Sequence, residues 1–513
     1  MRFRHVALAL CLAGLASAPW SAKSKTAPTG PSQPGLNLQI QAETLHLPNG
    51  MTFILVPEKG APVFSGYIVF KVGGVNSVPG DSGLAHMFEH MAFKGTRHIG
   101  TRDWAKEKPI FEALRKAGDK LTTLKATGKA SPGEIKALTE QVKKLTAEEH
   151  KYIVKDEFDR WYTLAGERGL NASTGEDITQ YFVSLPNNAL ELWMLMESQR
   201  IREPVMREFY SERDVIYQER LMRTENSPFG KLYEHYQATA FMAHPYRIPT
   251  IGWSSDIKAL TMKQAEDFFH KYYSPSNAVG VLAGNFDVSQ AKKWIDEYFG
   301  TIPRRGDPIP IVTKEPVQQE PRSVTVEYKA NPMMLMGFHK PTWPDADDAV
   351  MDVISTALTD GLTSRLYKRL VAKDHLAAAV QSWNGDPGVR FDNLVTIFAV
   401  PNRGVGYDKL TGAIQSELDA LAQTPMPEAE LEKCKTKILA DYLRQLETPM
   451  STAVLVGHTQ ILTGDWHNIF KYIDQIRTMT PQDVMRVAAK YLTPSNRTMA
   501  TLVAPKQAGK EAK

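Results

Sequence analysis

The chain has 513 residues, 42% of them hydrophobic and 23% charged, with a formal net charge of +4 and two cysteines. That length exceeds one ordinary hydrophobic core and implies two to four domains. Two cysteines exclude a disulfide scaffold, and the near balance of charge leaves no footprint for nucleic acid or an anionic membrane.

Residues 1–22 read as an export signal. Arg2, Arg4 and His5 precede an apolar run from Val6 to Ala16, with Ala16-Ser17-Ala18 as a cleavage candidate. The run is too short to span a bilayer as a helix, and no later stretch is apolar enough. The expected location is therefore outside the cytoplasm, in a periplasm or secreted beyond it. Loss of the signal removes Cys11 and leaves Cys434 alone. Residues 23–36 read as a flexible leader, and the tail 506–513 reads the same way.

Thr44–Leu47 and Met51–Val56 flank Pro48-Asn49-Gly50, a strong hairpin signal, and Phe64–Phe70 reads as a third strand. A helix carrying His86 and His90 follows, with Asp81 or Ser82 as its candidate cap. Residues 101–160 read as a mostly solvated helical hairpin, with Thr127–Gly133 as its turn and a capping box at Ser131–Glu134 opening a helix through about Tyr152. Residues 301–323 carry five prolines and read as a linker, and Ser323–Tyr328 alternates like a strand.

An internal repeat organises the whole. Lys271-Tyr-Tyr-Ser-Pro-Ser-Asn277 returns as Lys490-Tyr-Leu-Thr-Pro-Ser-Asn496, 219 positions later. Each copy follows a helical segment opened by a threonine (Thr261, Thr480) and precedes an apolar strand-like run. The expected fold is α+β. It has two homologous domains, 38–300 and 324–505, each an antiparallel sheet packed with helices, and the hairpin is inserted in the first.

The chemistry sits in His86-Met-Phe-Glu-His90. On a helix the two histidines are one turn apart, so both imidazoles leave the same face. Two neutral imidazoles so spaced suit zinc. Glu89 can reach a water at the metal without being a ligand, and H-x-x-E-H is the inverted zinc-peptidase order. Apolar neighbours bury this helix, and three titratable side chains there require a reason.

The stretch Gly83–Thr96 resembles the signature of the pitrilysin/insulinase family of zinc peptidases, and the likeness extends over residues 38–505. The resemblance implies a third zinc ligand on a later helix. Glu212-Arg-Asp-Val-Ile-Tyr-Gln-Glu219 matches the family's E-R-x-x-x-x-x-E, which makes Glu219 the ligand and Glu212 a supporting carboxylate about two helical turns earlier. Glu219 lies 129 positions after His90, farther than is usual in the family, and the 101–160 insertion accounts for the excess. Gly169–Thr174 resembles the family's edge strand beside the zinc, where a substrate backbone adds as a further strand. Asn171 and Ala172 are the positions carried over.

One departure has consequences. Family members that act as single chains hold the substrate carbonyl with an Arg and a Tyr seven residues apart in the second half. The matching positions here are Val371 and Ala378, and Arg365, Tyr367 and Arg369 are out of register. The resemblance therefore implies a zinc endopeptidase with one Zn2+ per chain, acting on unfolded segments or oligopeptides. It also implies a homologous partner subunit bearing the Arg/Tyr pair. The competing expectation is a non-catalytic scaffold or binding subunit.

Overall fold

The computed structural model describes residues 39–505. The segments read from sequence as an export signal, a leader and a tail lie outside the described residues.

The Asn-Gly hairpin joins β1 (Glu43–His46) to β2 (Thr52–Pro57). Gly50 takes φ +92°, and the Asn49 amide reaches back to the carbonyls of Phe299 and Ile302 at 2.8 and 2.9 Å. With β3 (Val63–Phe70), β4 (Arg168–Thr174), β5 (Thr179–Pro186) and β6 (Ala278–Gly284) these strands form a six-stranded sheet, ordered β1-β2-β6-β3-β5-β4. The second sheet uses β7 (Arg322–Glu327), β8 (Met333–Lys340), β9 (Ala377–Asp386), β10 (Asn393–Pro401) and β11 (Arg497–Val503), ordered β7-β11-β8-β10-β9.

The two orders are the same, with β1 added to the first. β3 and β8 begin 270 residues apart (Val63, Met333), whereas β6 and β11 begin 219 apart (Ala278, Arg497). The offset shrinks across the inserted hairpin. The repeated heptapeptides also do the same work. Thr261 and Thr480 each form a full capping box, and Asn277 and Asn496 each donate to a tyrosine carbonyl five residues back at 2.8 Å.

The sheets are antiparallel except for one pair in each. β2 runs parallel to β6, and β7 parallel to β11. The closing strand of each half returns through helices rather than a tight turn, so it can enter alongside the first strand in the same direction. Alternation in sequence carries no information about strand direction.

Seven helices of the first half are used below. They are α1 (Leu84–Met91), α2 (Trp104–Thr127), α3 (Pro132–Glu149), α4 (Glu157–Leu164), α5 (Leu190–Arg202), α6 (Phe209–Arg220) and α7 (Pro228–Ala240). Helices α2 and α3 form the inserted hairpin. Gly128 at φ +64° ends α2, and Ser131 Oγ accepts from the Glu134 amide at 3.2 Å to open α3. This hairpin is less solvated than its charge suggests. Phe111, Leu114 and Leu121 are buried on one face of α2. Gly118 lies so close to Tyr210 that a Cβ there would come within 2.1 Å of the ring.

The core of the first half gathers Phe53, Phe64, Phe70, Phe88, Trp193 and Phe269. Each such side chain contributes about 1.5–3 kcal/mol by burial. The halves also exchange helices. α7 packs on β7, β8 and β11 of the second sheet, while the helix Pro449–Thr463, at the same place in the repeat, packs on β3 and β6 of the first. Tyr236 pairs with Thr396 (2.8 Å) and Tyr233 donates to Asp386 (2.5 Å) on one side; His458 pairs with Gln180 (2.8 Å) on the other.

Candidate active site

The helix α1 starts without the expected side-chain cap. Its N-cap is Gly83 at φ +92°, a left-handed conformation suited to glycine. A Cβ at Gly83 would lie 2.8 Å from the Ile251 carbonyl. Asp81 instead accepts from the Val78 amide, and Ser82 donates to Asp256. Leu84, Ala85, Met87, Phe88 and Met91 are buried and fix the helix's rotation. That rotation aims His86 and His90 at α6.

There the structure brings His86, His90 and Glu219 together. Nε2 of His86 lies 3.5 Å and Nε2 of His90 3.8 Å from Glu219 Oε2. All three ligand atoms fall within 4.8 Å of one another. Ligands about 2.0–2.2 Å from a tetrahedral zinc are about 3.4 Å apart, so this donor set fits the ion. Burial, reinforced by the charges of His90 and Arg223, pushes His86 down to about 3, so it stands neutral, as a ligand must.

Glu212 takes the supporting place. Its Oε2 is 3.2 Å from His90 Nδ1, and its Oε1 accepts from Lys94 Nζ at 2.5 Å. Burial works to raise the Glu212 carboxyl, but these two bonds and their charges prevail and hold it at about 2. An ionised carboxylate accepts from Nδ1–H, which fixes the ring and its tautomer and leaves the Nε2 lone pair for the metal. For His90, burial opposes protonation, yet the Glu212 hydrogen bond and three carboxylate charges raise its pKa overall.

Glu89 is one residue before His90 and outside the ligand group. Thr174 Oγ1 at the end of β4 donates to its Oε2 at 2.5 Å. Burial pushes Glu89 upward, against that hydrogen bond. A raised carboxyl is a stronger base toward a water proton than an ordinary one.

Asn171 and Ala172 lie on β4, the edge of the first sheet, opposite Phe182 and Tyr181 of β5. The Asn171 side chain turns onto its neighbour's amide (2.8 Å). A cleft of about 360 Å³ joins this edge to Glu89, His90, Phe93 and Lys94. Its far wall is the segment 153–159, which enters from the inserted hairpin. Thr174, Lys94, Glu208 and Arg223 were not singled out from sequence. Thr174 and Lys94 lie inside the two stretches that carry the resemblance, so position within those stretches was the available signal.

Among the described residues the second half offers no equivalent centre. On the 270-residue offset, His86, Glu89 and His90 fall at Thr356, Thr359 and Asp360; on the 219-residue offset, Glu219 falls at Ile438. A cleft of about 710 Å³ persists there, but Asp360 faces Lys437 at 3.6 Å. Val371 and Ala378 can donate no side-chain hydrogen bond, and Arg365 and Arg369 are engaged by Glu430 and Glu417.

Comparison with known proteins finds peptidases of similar sequence and fold. Residues 259–438 match the family described as Peptidase M16 inactive domain. A zinc protease of Helicobacter pylori, PqqE, is 27% identical over 471 residues, covering 90% of this chain and 92% of that protein. The crystal structure of a protease from Helicobacter pylori superposes with a TM-score of 0.75 at 26% identity, covering 91% of this chain and all of that one. Over most of its length the chain is thus similar to zinc proteases of the pitrilysin-like (M16) kind, and residues 259–438 match that family's domain. A second M16 structure, from Pseudomonas fluorescens, shares the fold at 15% identity and a TM-score of 0.70, covering 91% of this chain. In this chain the stretch matched as the inactive domain begins after Glu219, and so contains none of His86, Glu89, His90 or Glu219.

Proposed function

We propose that this chain is an exported, most simply periplasmic, zinc endopeptidase that hydrolyses unfolded segments or oligopeptides. The observation that carries the reading is Glu89. A retired metal site needs no carboxylate buried beside its ligand group and held there by Thr174. His86, His90 and Glu219 would hold one zinc ion, which when bound supplies Lewis acidity toward water and a peptide carbonyl.

The chain's own residues perform the remaining work. The substrate backbone adds to β4 at Asn171 and Ala172, where ladder bonds are blind to side chains. Glu89 takes a proton from the attacking water as its oxygen bonds to the scissile carbon. It then passes that proton to the leaving amine as the C–N bond breaks. Glu212 keeps His90 in one tautomer throughout. A homologous partner subunit bearing an Arg/Tyr pair completes the carbonyl site. Among the described residues no helix is long and apolar enough to cross a membrane.

A scaffold role is the competing reading, favoured by Val371 and Ala378. Glu89→Gln separates the two. The variant should keep stoichiometric zinc and lose peptide hydrolysis, alone or with the partner. Unchanged hydrolysis would remove Glu89 from the mechanism. Full activity of the isolated wild-type chain would remove the partner.

A further inference from the structure

The half-site left by Val371 and Ala378 directs attention to Arg223. It stands four residues after Glu219 in Leu221–Glu225, a π-helical turn that continues α6. Wide turns of this kind are rare and concentrate at functional sites. One guanidinium nitrogen lies 2.8 Å from Glu219 Oε1, the carboxylate oxygen turned away from the histidines, and the side chain is 71% exposed. A guanidinium has five N–H donors, so the bond to Glu219 leaves others for a ligand beside the metal group.

Its surroundings set it apart from the other nearby cations. Lys94 is held by Glu208 and Glu212, Arg207 by Glu107, and Arg220 by Glu234. Arg223 instead pairs with Glu219, the carboxylate that faces both histidines. An exposed i,i+4 ion pair of this kind is worth only about 0.3–0.5 kcal/mol, so stability gives little reason for it.

The backbone beneath it is nevertheless fixed. Asn226 donates its amide to the Leu221 carbonyl at 2.7 Å, closing the turn. Gly230 at the start of α7 presses so close that a Cβ there would sit 1.9 Å from the Arg223 carbonyl oxygen. The clamp fixes where this long, charged side chain starts, so a ligand has only its side-chain rotamers left to order.

We infer that Arg223 is a catalytic residue whose guanidinium donates to the scissile carbonyl oxygen as it becomes an oxyanion, supplying from the zinc-bearing chain part of what Val371 and Ala378 cannot. The inference rests on the peptidase reading above. Its specificity is for the tetrahedral species, because N–H donors aimed at developing negative charge gain most there.

The test compares two ligands on zinc-loaded full chain. One is a peptide carrying a tetrahedral phosphonate in place of the scissile amide; the other is its parent amide, measured on the Glu89→Gln background so that it is not consumed. Arg223→Met should weaken the phosphonate peptide by about 10²-fold or more, the range for losing one oxyanion donor. The parent peptide should weaken less than about threefold, with zinc content and thermal midpoint unchanged. Arg223→Lys should recover part of the phosphonate affinity. Equal binding of the phosphonate by wild type and Arg223→Met would overturn the inference alone. Loss of zinc in Arg223→Met would also overturn it, making Arg223 a support for Glu219. Failure of wild type to prefer phosphonate over amide without the partner would overturn this inference alone, whereas failure to bind zinc would overturn the peptidase reading and this inference with it.

Discussion

Glu107 and Arg207 form an ion pair that joins the inserted hairpin to the metal-binding half. Both are essentially fully buried, at 0% and 1% exposure. Arg207 donates to both Glu107 oxygens, at 2.6 and 3.4 Å, and to the carbonyls of Lys94 and Ile99 at 3.2 Å each. The pair therefore connects α2 to the loop that leaves α1. Breaking one side of a buried pair costs about 3–5 kcal/mol. Glu107→Met falls at the lower end, about 3 kcal/mol, because Arg207 keeps its two carbonyl acceptors. Arg207→Met falls nearer 5, because Glu107 loses its donors and both carbonyls lose theirs. Replacing both with methionine removes the uncompensated charge and should cost only about 1–2 kcal/mol for the orphaned carbonyls. The assay is urea denaturation at pH 7, read as the midpoint at constant slope. The double variant should be more stable than either single one. If each single change costs under about 1 kcal/mol, or if the two costs simply add, the pair does not fasten the hairpin in the way described.

Two further outcomes follow from the same reasoning. Burial pushes the Glu176 carboxyl up to about 8, with smaller opposition from its hydrogen bonds. Between its ordinary value of 4.5 and about 8 the folded chain holds a proton that the unfolded chain has lost, so stability falls as pH rises through that window, by up to about 4–5 kcal/mol. Glu176→Gln should therefore gain on wild type in denaturation midpoint from pH 5 to pH 9, and a pH-independent difference would refute this. Separately, Glu212→Ala should weaken zinc binding about 10–100-fold by freeing the His90 ring, measured by competition with a chromogenic chelator; unchanged affinity would show that His90 is oriented by something else.

The repeat, the motif helix and the hairpin were legible because each is written locally. Thr261 and Thr480 cap, Asn277 and Asn496 close turns, and Asn49-Gly50 bends a hairpin, all within a few residues. What sequence left out was long-range. Gly83 replaced the expected Asp81 or Ser82 cap because the backbone at Ile251 and Gly252 passes too close for a side chain, and no local pattern reports that approach. The buried face of α2 was hidden among charges, since Tyr210 and Glu107's partner Arg207 come from about a hundred residues away. Glu219 was reached through resemblance to a family, because one glutamate on a polar helix carries no signature of its own.

The exchange of helices explains why a half without metal ligands is retained. α7 follows the Leu221–Glu225 turn directly, and α7 is seated on the second sheet through Tyr233 and Tyr236. Tyr328 of the second half also donates to the Glu225 carbonyl at 3.3 Å, and buried Arg220 ties the end of α6 to Glu234 of α7 at 2.7 Å. The end of α6 is thus held between its own half and the other. Glu219 and Arg223 lie on that end, so their distance from His86 and His90 depends on contacts made by β8, β10 and β11. Asp360, Thr356 and Ile438 could lose ligand chemistry without cost to the metal centre, whereas the surface that receives α7 could not change without moving it. On this argument the second half acts as the frame that sets the geometry of the first.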